Sequence, residues 1–172
     1  YTYENDEITQ WGAVFERYHD EGTRERLEPF VSLVNPLAVK IPDIVIKITG
    51  LTKEKLKDAP RIDVVLRAFA SHLENIAKPD DVRIMLSYNG HGFDLPLVIS
   101  EAVRCFSANK VISYFRELKV TYTIDVLMLA RDTLETTCLI RNASGRCSYK
   151  LGDVYQALMG KPLADAHDAI AD

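Results

Sequence analysis

Strand-forming residue types come first in this chain and helical spacing begins at Ile62, and that order bounds what it can fold into. Residues 8–15, Ile-Thr-Gln-Trp-Gly-Ala-Val-Phe, are dominated by aromatic and β-branched types and predict a strand. Residues 27–34 predict a second strand, closed by Asn35-Pro36, with the turn residues Tyr18 to Thr23 between the two. Further on, Ile62, Val65, Leu66, Phe69, Leu73 and Ile76 recur at helical spacing and predict an amphipathic helix over 61–77, ended by Pro79. Residues 82–88 form a short apolar run of the kind a central strand shows. Leu97, Val98, Glu101, Ala102 and Cys105 suit another helix, residues 120–124 a strand, and residues 126–134 a helix. Residues 135–147 have no clear period and predict a long surface loop. Residues 149–159 are helical again, with Gly160 able to supply the left-handed position that ends a helix. A hairpin followed by alternating strands and helices argues for an α/β layer structure with a mixed sheet.

A chain of 172 residues can bury one substantial core, so a single domain over 1–172 is expected. Hydrophobic residues at 47% and charged residues at 27% are the proportions of an ordinary soluble protein. No 18-residue apolar run predicts a membrane span, and the acidic opening has no signal-peptide pattern. Cys105, Cys138 and Cys147 make neither a disulfide framework nor a close ligand pair, which fits a reducing, intracellular compartment, cytoplasm or nucleus. A net charge of −4 excludes gripping a long duplex by charge alone. It leaves room for a nuclease, because a divalent-cation site is itself a cluster of acids. There is no phosphate-binding glycine loop, nucleophile elbow or zinc-spaced histidine pair.

Two places carry candidate chemistry. Asp94 follows an apolar run and the turn Asn89-Gly90-His91-Gly92, and ligands of α/β sheets collect beyond strand C-termini. The same pattern also suits a surface turn with an aspartate at a helix N-terminus. His167 and Asp172 are five residues apart, which on one helix is roughly 140°. They converge only if His167 lies in a loop or first turn, with Asp165 as cap; a capped surface helix is the alternative. Of the remaining histidines, His19 falls in a turn, His72 reads as a surface or boundary residue, and His91 can face either substrate or water.

Four stretches, in order, resemble the DnaQ-like (DEDDh) 3′-to-5′ exonucleases, and within them the three-prime repair exonuclease (TREX) type. Residues 6–14 resemble the family's second strand, and Ile48-Thr49-Gly50-Leu51-Thr52 its loop beside the substrate's 3′ end. Asn89-Gly90-His91-Gly92-Phe93-Asp94-Leu95-Pro96-Leu97 resembles its second exonuclease motif. Ser148 to Tyr155, Gly160-Lys161 and Ala166-His167-Asp168-Ala169-Ile170-Ala171-Asp172 resemble the third motif and its approach. Asp125 matches a recurrent aspartate ahead of a helix.

The resemblance implies a ribonuclease H-like mixed sheet flanked by helices, with Asp94 and Asp172 as metal ligands and His167 as general base. It implies two Mg²⁺ or Mn²⁺ ions, and Asn89, Ile48, Thr49, Gly50 and Leu51 as residues that hold the terminal nucleotide. The expected substrates are single-stranded or frayed 3′ ends, DNA rather than RNA, cleaved to nucleoside 5′-monophosphates; no membrane is involved and a homodimer is compatible. Two metal ions can serve the attacking hydroxide and the leaving 3′-oxygen together, and an imidazole can accept the water's proton near neutral pH. The family's first motif, Asp-x-Glu on a first strand, is expected ahead of Asp6 and is not in the sequence. The first strand and the end of the last helix are therefore expected to be missing, and residues 1–172 alone to be inactive. The alternative is a catalytically inactive exonuclease-like domain that binds nucleic acid or protein.

Overall fold

The computed structural model describes residues 6–37, 40–137 and 139–163. Strands β1 (Gln10–Tyr18) and β2 (Arg24–Leu33) form the expected antiparallel hairpin, running from Gln10 opposite Leu33 to Tyr18 opposite Arg24. The register shifts between Ala13 and Phe15. The turn closes through the Gly22 and His19 amides, which donate to the carbonyls of His19 and Thr23. Two short helices follow, α1 (Asp43–Thr49) and α2 (Lys53–Leu56). They lead into α3 (Ile62–Ile76), which matches the predicted helix within a residue at each end.

The inner face of the hairpin packs on α3 through rings. Phe69 lies 5.0 Å from Trp11 and 5.4 Å from Phe30, centroid to centroid. His72 sits between Phe15 and Phe30, at 5.4 and 5.5 Å, and its Nε2 lies 2.9 Å from the Glu28 carbonyl. A carbonyl can only accept, so Nε2 carries the proton and His72 is a boundary residue with a fixed tautomer. Arg17 fastens the far end of β1. Its guanidinium donates to the Ile76 carbonyl at 2.7 Å, one of the oxygens that the end of α3 leaves unpaired, and to Asp81 at 3.0 Å. That bond holds the Asp81 carboxyl below the usual carboxylate range.

The main core joins this layer to α4 (Asp94–Cys105) and α5 (Ala108–Glu117). Ile8, Val34, Ile62, Val65, Leu66 and Leu73 meet Ala102, Val111, Tyr114 and Leu118 there. Glu101 on α4 is buried at 3% exposure and is fully engaged: one oxygen accepts from the Ile8 amide at 2.9 Å and the other pairs with Arg104 at 3.0 Å. Helix α5 has no counterpart in the sequence reading. Its residues Val, Ile, Tyr and Phe are modest helix formers, and burial of Val111 and Tyr114 in the core stabilises it.

Strand β3 (Arg83–Ser87) pairs in parallel with β4 (Val120–Asp125), across the crossover that α4 and α5 provide. After β4 come α6 (Val126–Thr133) and α7 (Leu151–Met159), joined around Ala130, Leu139 and Val154. The segment between them is the predicted loop, pinched by a bridge between Arg141 and Cys147. Antiparallel and parallel pairs flanked by helices make the mixed α/β fold the resemblance implies. Among the described residues, β1 pairs only with β2 and β3 only with β4. Ile84 lies opposite Tyr122, and Leu86 opposite Ile124, so the four share one face, and all four are exposed. No helix among the described residues is long and apolar enough to cross a membrane.

One local expectation is corrected. Ile48 and Thr49 are not loop residues but the last turn of α1, and Gly50, at φ 68°, is its left-handed cap. Pro42 sits just outside the helix as its N-cap, where a proline costs nothing, and Gly50 supplies the left-handed end.

Leu66 is fully buried, whereas Val64 on the same helix is half exposed. Leu66→Ala should cost about 2–5 kcal/mol of unfolding free energy, and Val64→Ala within about 0.5 kcal/mol. Urea titration followed by circular dichroism measures both.

Candidate active site

The end of β3 feeds a turn held by local bonds and by two sterically demanding positions. Asn89 adopts φ 61°, a left-handed conformation that asparagine tolerates better than most residues. Its carbonyl accepts from the Gly92 and Phe93 amides at 3.1 and 3.0 Å, and the Gly90 carbonyl from Leu95 at 2.9 Å. The chain thus passes from strand into α4 with Asp94 as the first helical residue. Gly90 is fixed by space. A Cβ there would lie 1.9 Å from Ser87 Oγ and 2.5 Å from Ser87 Cβ.

Asp125, the last residue of β4, holds this turn from the neighbouring strand. It is 6% exposed. Oδ1 accepts from the Asn89 amide at 2.9 Å and from the Leu127 amide at 3.0 Å, the second bond capping α6. Oδ2 accepts from the His91 amide at 3.1 Å. The His91 ring is tied to the same strand, with Nε2 3.1 Å from Thr123 Oγ1. Burial pushes the Asp125 carboxyl up, but the three backbone donors outweigh it and hold the group below its ordinary range.

Asp94 behaves in the opposite way. It stays open to solvent, yet the protein atoms around its carboxyl raise its pKa, against the pull of its own amide; the charge of Asp125 adds to the rise. Beside it, Ser87 Oγ is buried with no hydrogen-bond partner. The Cβ position that Gly90 leaves empty is 3.5 Å from Asp94 Oδ2. A carboxylate with raised proton affinity, near a second negative group and at the start of the helix that follows β3, is placed to gain from a cation.

The structure brings Asn89 and Asp94 into one turn. Ile48, Thr49, Gly50 and Leu51 lie at the C-terminal end of α1, where the bonds are local. Thr49 Oγ1 donates to Val45, the Leu51 amide donates to Thr49 Oγ1, and Lys55 Nζ donates to the Gly50 carbonyl at 2.8 Å. His167 and Asp172 lie outside the described residues. Among the described residues no group of three histidine, cysteine, aspartate or glutamate side chains can hold a metal ion. Asp94 alone is not a metal site, so these residues do not by themselves fit the two ions that the resemblance implies.

Sequence reasoning missed two ties. Asp125 reads as an aspartate before a helix, which signals a cap. Nothing local signals its bonds to Asn89 and His91, 36 and 34 residues away. Tyr88 Oη donates to the Tyr149 carbonyl at 2.7 Å, and Arg131 lies 5.8 Å over the Tyr149 ring. The first joins the approach to α7 to the end of β3, and the second joins it to α6.

Comparison with known proteins places the chain. The family model described as RNase T exonuclease matches residues 2–172. No curated protein matches the chain. Among solved structures, E. coli Exonuclease I in complex with a dA16 oligonucleotide has a TM-score of 0.66 at 22% identity, covering 95% of this chain and 34% of its own. The same enzyme with a 5cy-dT13 oligonucleotide has a TM-score of 0.69 at 21% identity, covering 99% and 36%. The chain spans about a third of the length of these structures, and at such identities they are similar in fold. The chain belongs to the RNase T exonuclease family, within the DnaQ-like superfamily.

The turn can be tested by substitution. Gly90→Ala should cost about 1–3 kcal/mol through overpacking. Ser87→Gly should restore more of that loss than Ser87→Ala, because only glycine removes both clashing atoms. Thermal unfolding of the single and double variants measures this.

The two carboxylates predict opposite pH behaviour. Asp94, with its raised pKa, favours the folded state below the ordinary aspartate range, and that contribution is lost as pH rises through the folded pKa. Asp94→Asn should therefore gain stability relative to the wild type as pH rises. Asp125, with its lowered pKa, stabilises above the ordinary range, and loses that contribution as pH falls through its folded value. Asp125→Asn should lose most at neutral pH and least in acid. Denaturant midpoints from pH 3 to 8 (the range is about one to four units around reference aspartate) decide both signs.

Proposed function

We propose that this chain is the exonuclease domain of a metal-dependent 3′-to-5′ exonuclease that releases nucleoside 5′-monophosphates. The observation that carries the reading is the family match over residues 2–172. The exposed Asp94 carboxylate, in a turn braced from β4, supports it. In this reading His167 takes the proton of the attacking water, Asp94 and Asp172 contribute to metal binding, and Asn89 with Ile48, Thr49, Gly50 and Leu51 positions the terminal nucleotide. Two Mg²⁺ or Mn²⁺ ions would supply positive charge at the scissile phosphate. Further ligands would be needed besides Asp94 and Asp172, and the Asp-x-Glu carboxylates that the resemblance implies would supply them. Among the described residues β3 pairs on one edge only, and Ile84, Leu86, Tyr122 and Ile124 are exposed, which supports further structure packed against this pair. The proposed substrate is a single-stranded or frayed DNA 3′ end. The TREX-like form of the second motif and the dA16 and dT13 oligonucleotides bound by the solved relatives favour DNA.

The second reading is an inactive exonuclease-like domain that binds nucleic acid or protein.

A 5′-labelled oligonucleotide incubated with the full-length protein and Mg²⁺ or Mn²⁺ separates the two. Shortening from the 3′ end, abolished by a chelator, is expected. Shortening from the 5′ end, or chelator-insensitive cleavage, overturns the exonuclease reading; binding without cleavage selects the second. His167→Ala should reduce turnover by about 10²–10⁴-fold with oligonucleotide affinity retained. Asp94→Ala should lower both turnover and metal affinity.

A further inference from the structure

We propose that Asp125 is a positioning residue for the reaction: it holds the turn that aims Asp94 through bonds to Asn89 and His91, and the His91 bond, on the oxygen that does not cap α6, is separable from its role as a helix cap. The inference rests on the exonuclease reading for its consequence and on geometry for its cause. A cap needs one bond, and the Leu127 amide at 3.0 Å supplies it. The other two bonds, from Asn89 and His91, reach the stretch between β3 and α4, which holds a residue at φ 61° and a space-limited glycine. The His91 ring, bonded to Thr123 on the same strand, adds a second point of attachment. The β4 end thus fixes both sides of Gly90, four residues before Asp94. The brace acts through the backbone, so a loss would move Asp94 without removing any group that meets substrate.

Asp125→Asn isolates the effect. Asparagine is as good a cap as aspartate. With its amide oxygen toward Asn89 and Leu127, its amide nitrogen replaces Oδ2 and faces the His91 N–H, donor against donor. In the full-length protein we expect hydrogen exchange to rise at the His91 amide and to stay slow at Leu127. On a 5′-labelled single-stranded oligonucleotide, kcat should fall about 10- to 100-fold, the scale of an ångström-level misplacement, with KM and oligonucleotide affinity within about threefold. Leu66→Ala, assayed at a temperature where each protein is fully folded, serves as the destabilised control and should keep near-normal kcat.

Unchanged exchange at His91, a kcat within twofold of wild type, or an equal loss of kcat in Leu66→Ala overturns the assignment. A wild-type protein that does not shorten the oligonucleotide refutes the exonuclease reading and, with it, the catalytic consequence; the exchange pattern still decides whether the brace exists.

Discussion

One carboxylate joins three elements that are far apart in the sequence. Asp125 ends β4, opens α6 and takes up two amides from the turn after β3. Buried backbone N–H groups must find acceptors, and a turn as tight as residues 89–93 cannot satisfy all of them from within. A carboxylate is suited to this place because it offers several lone pairs and no hydrogen to conflict with the donors. The bonds are charge-assisted, which makes them stronger than amide–carbonyl pairs. The path of β3 into α4, the left-handed Asn89 and the placement of Asp94 all follow from that acceptor.

The opposite displacement of Asp94 and Asp125 comes from the same architecture. Both are aspartates near helix N-termini, yet one is saturated with donors and the other is not. Asp125 has its negative charge dispersed over three amides. Asp94 has a buried hydroxyl nearby that makes no bond, and the field of Asp125 beside it. A structural carboxylate is thus ionised firmly, and the exposed one is left wanting positive charge.

Much of this was legible in the chain, and the exceptions have physical causes. The hairpin and α3 follow from residue type and period, and β3, β4 and α6 from short apolar or β-branched runs bounded by turn residues. Gly160, at φ 70°, ends α7 as a glycine after a helix should. Ile48 and Thr49 read as loop because the Gly50 that follows them is equally a loop and a cap signal. Helix α5 is short, and only its packing against Ala102 and Leu118 selects it. Asp94 was visible as a carboxylate after a strand and a glycine-rich turn. Its brace was not, since no local pattern encodes a bond across 34 residues.

The two strand pairs also close on different clocks. β1 and β2 are joined by a turn of a few residues, so their pairing forms early and locally. β3 and β4 are parallel and must wait for the whole α4–α5 crossover to be placed, with the larger loop entropy that this entails. Since the acceptor for Asn89 and His91 stands at the end of β4, the candidate site acquires its native geometry only with that slower closure. The part of the molecule that would perform chemistry is therefore among the last to be built as the chain folds.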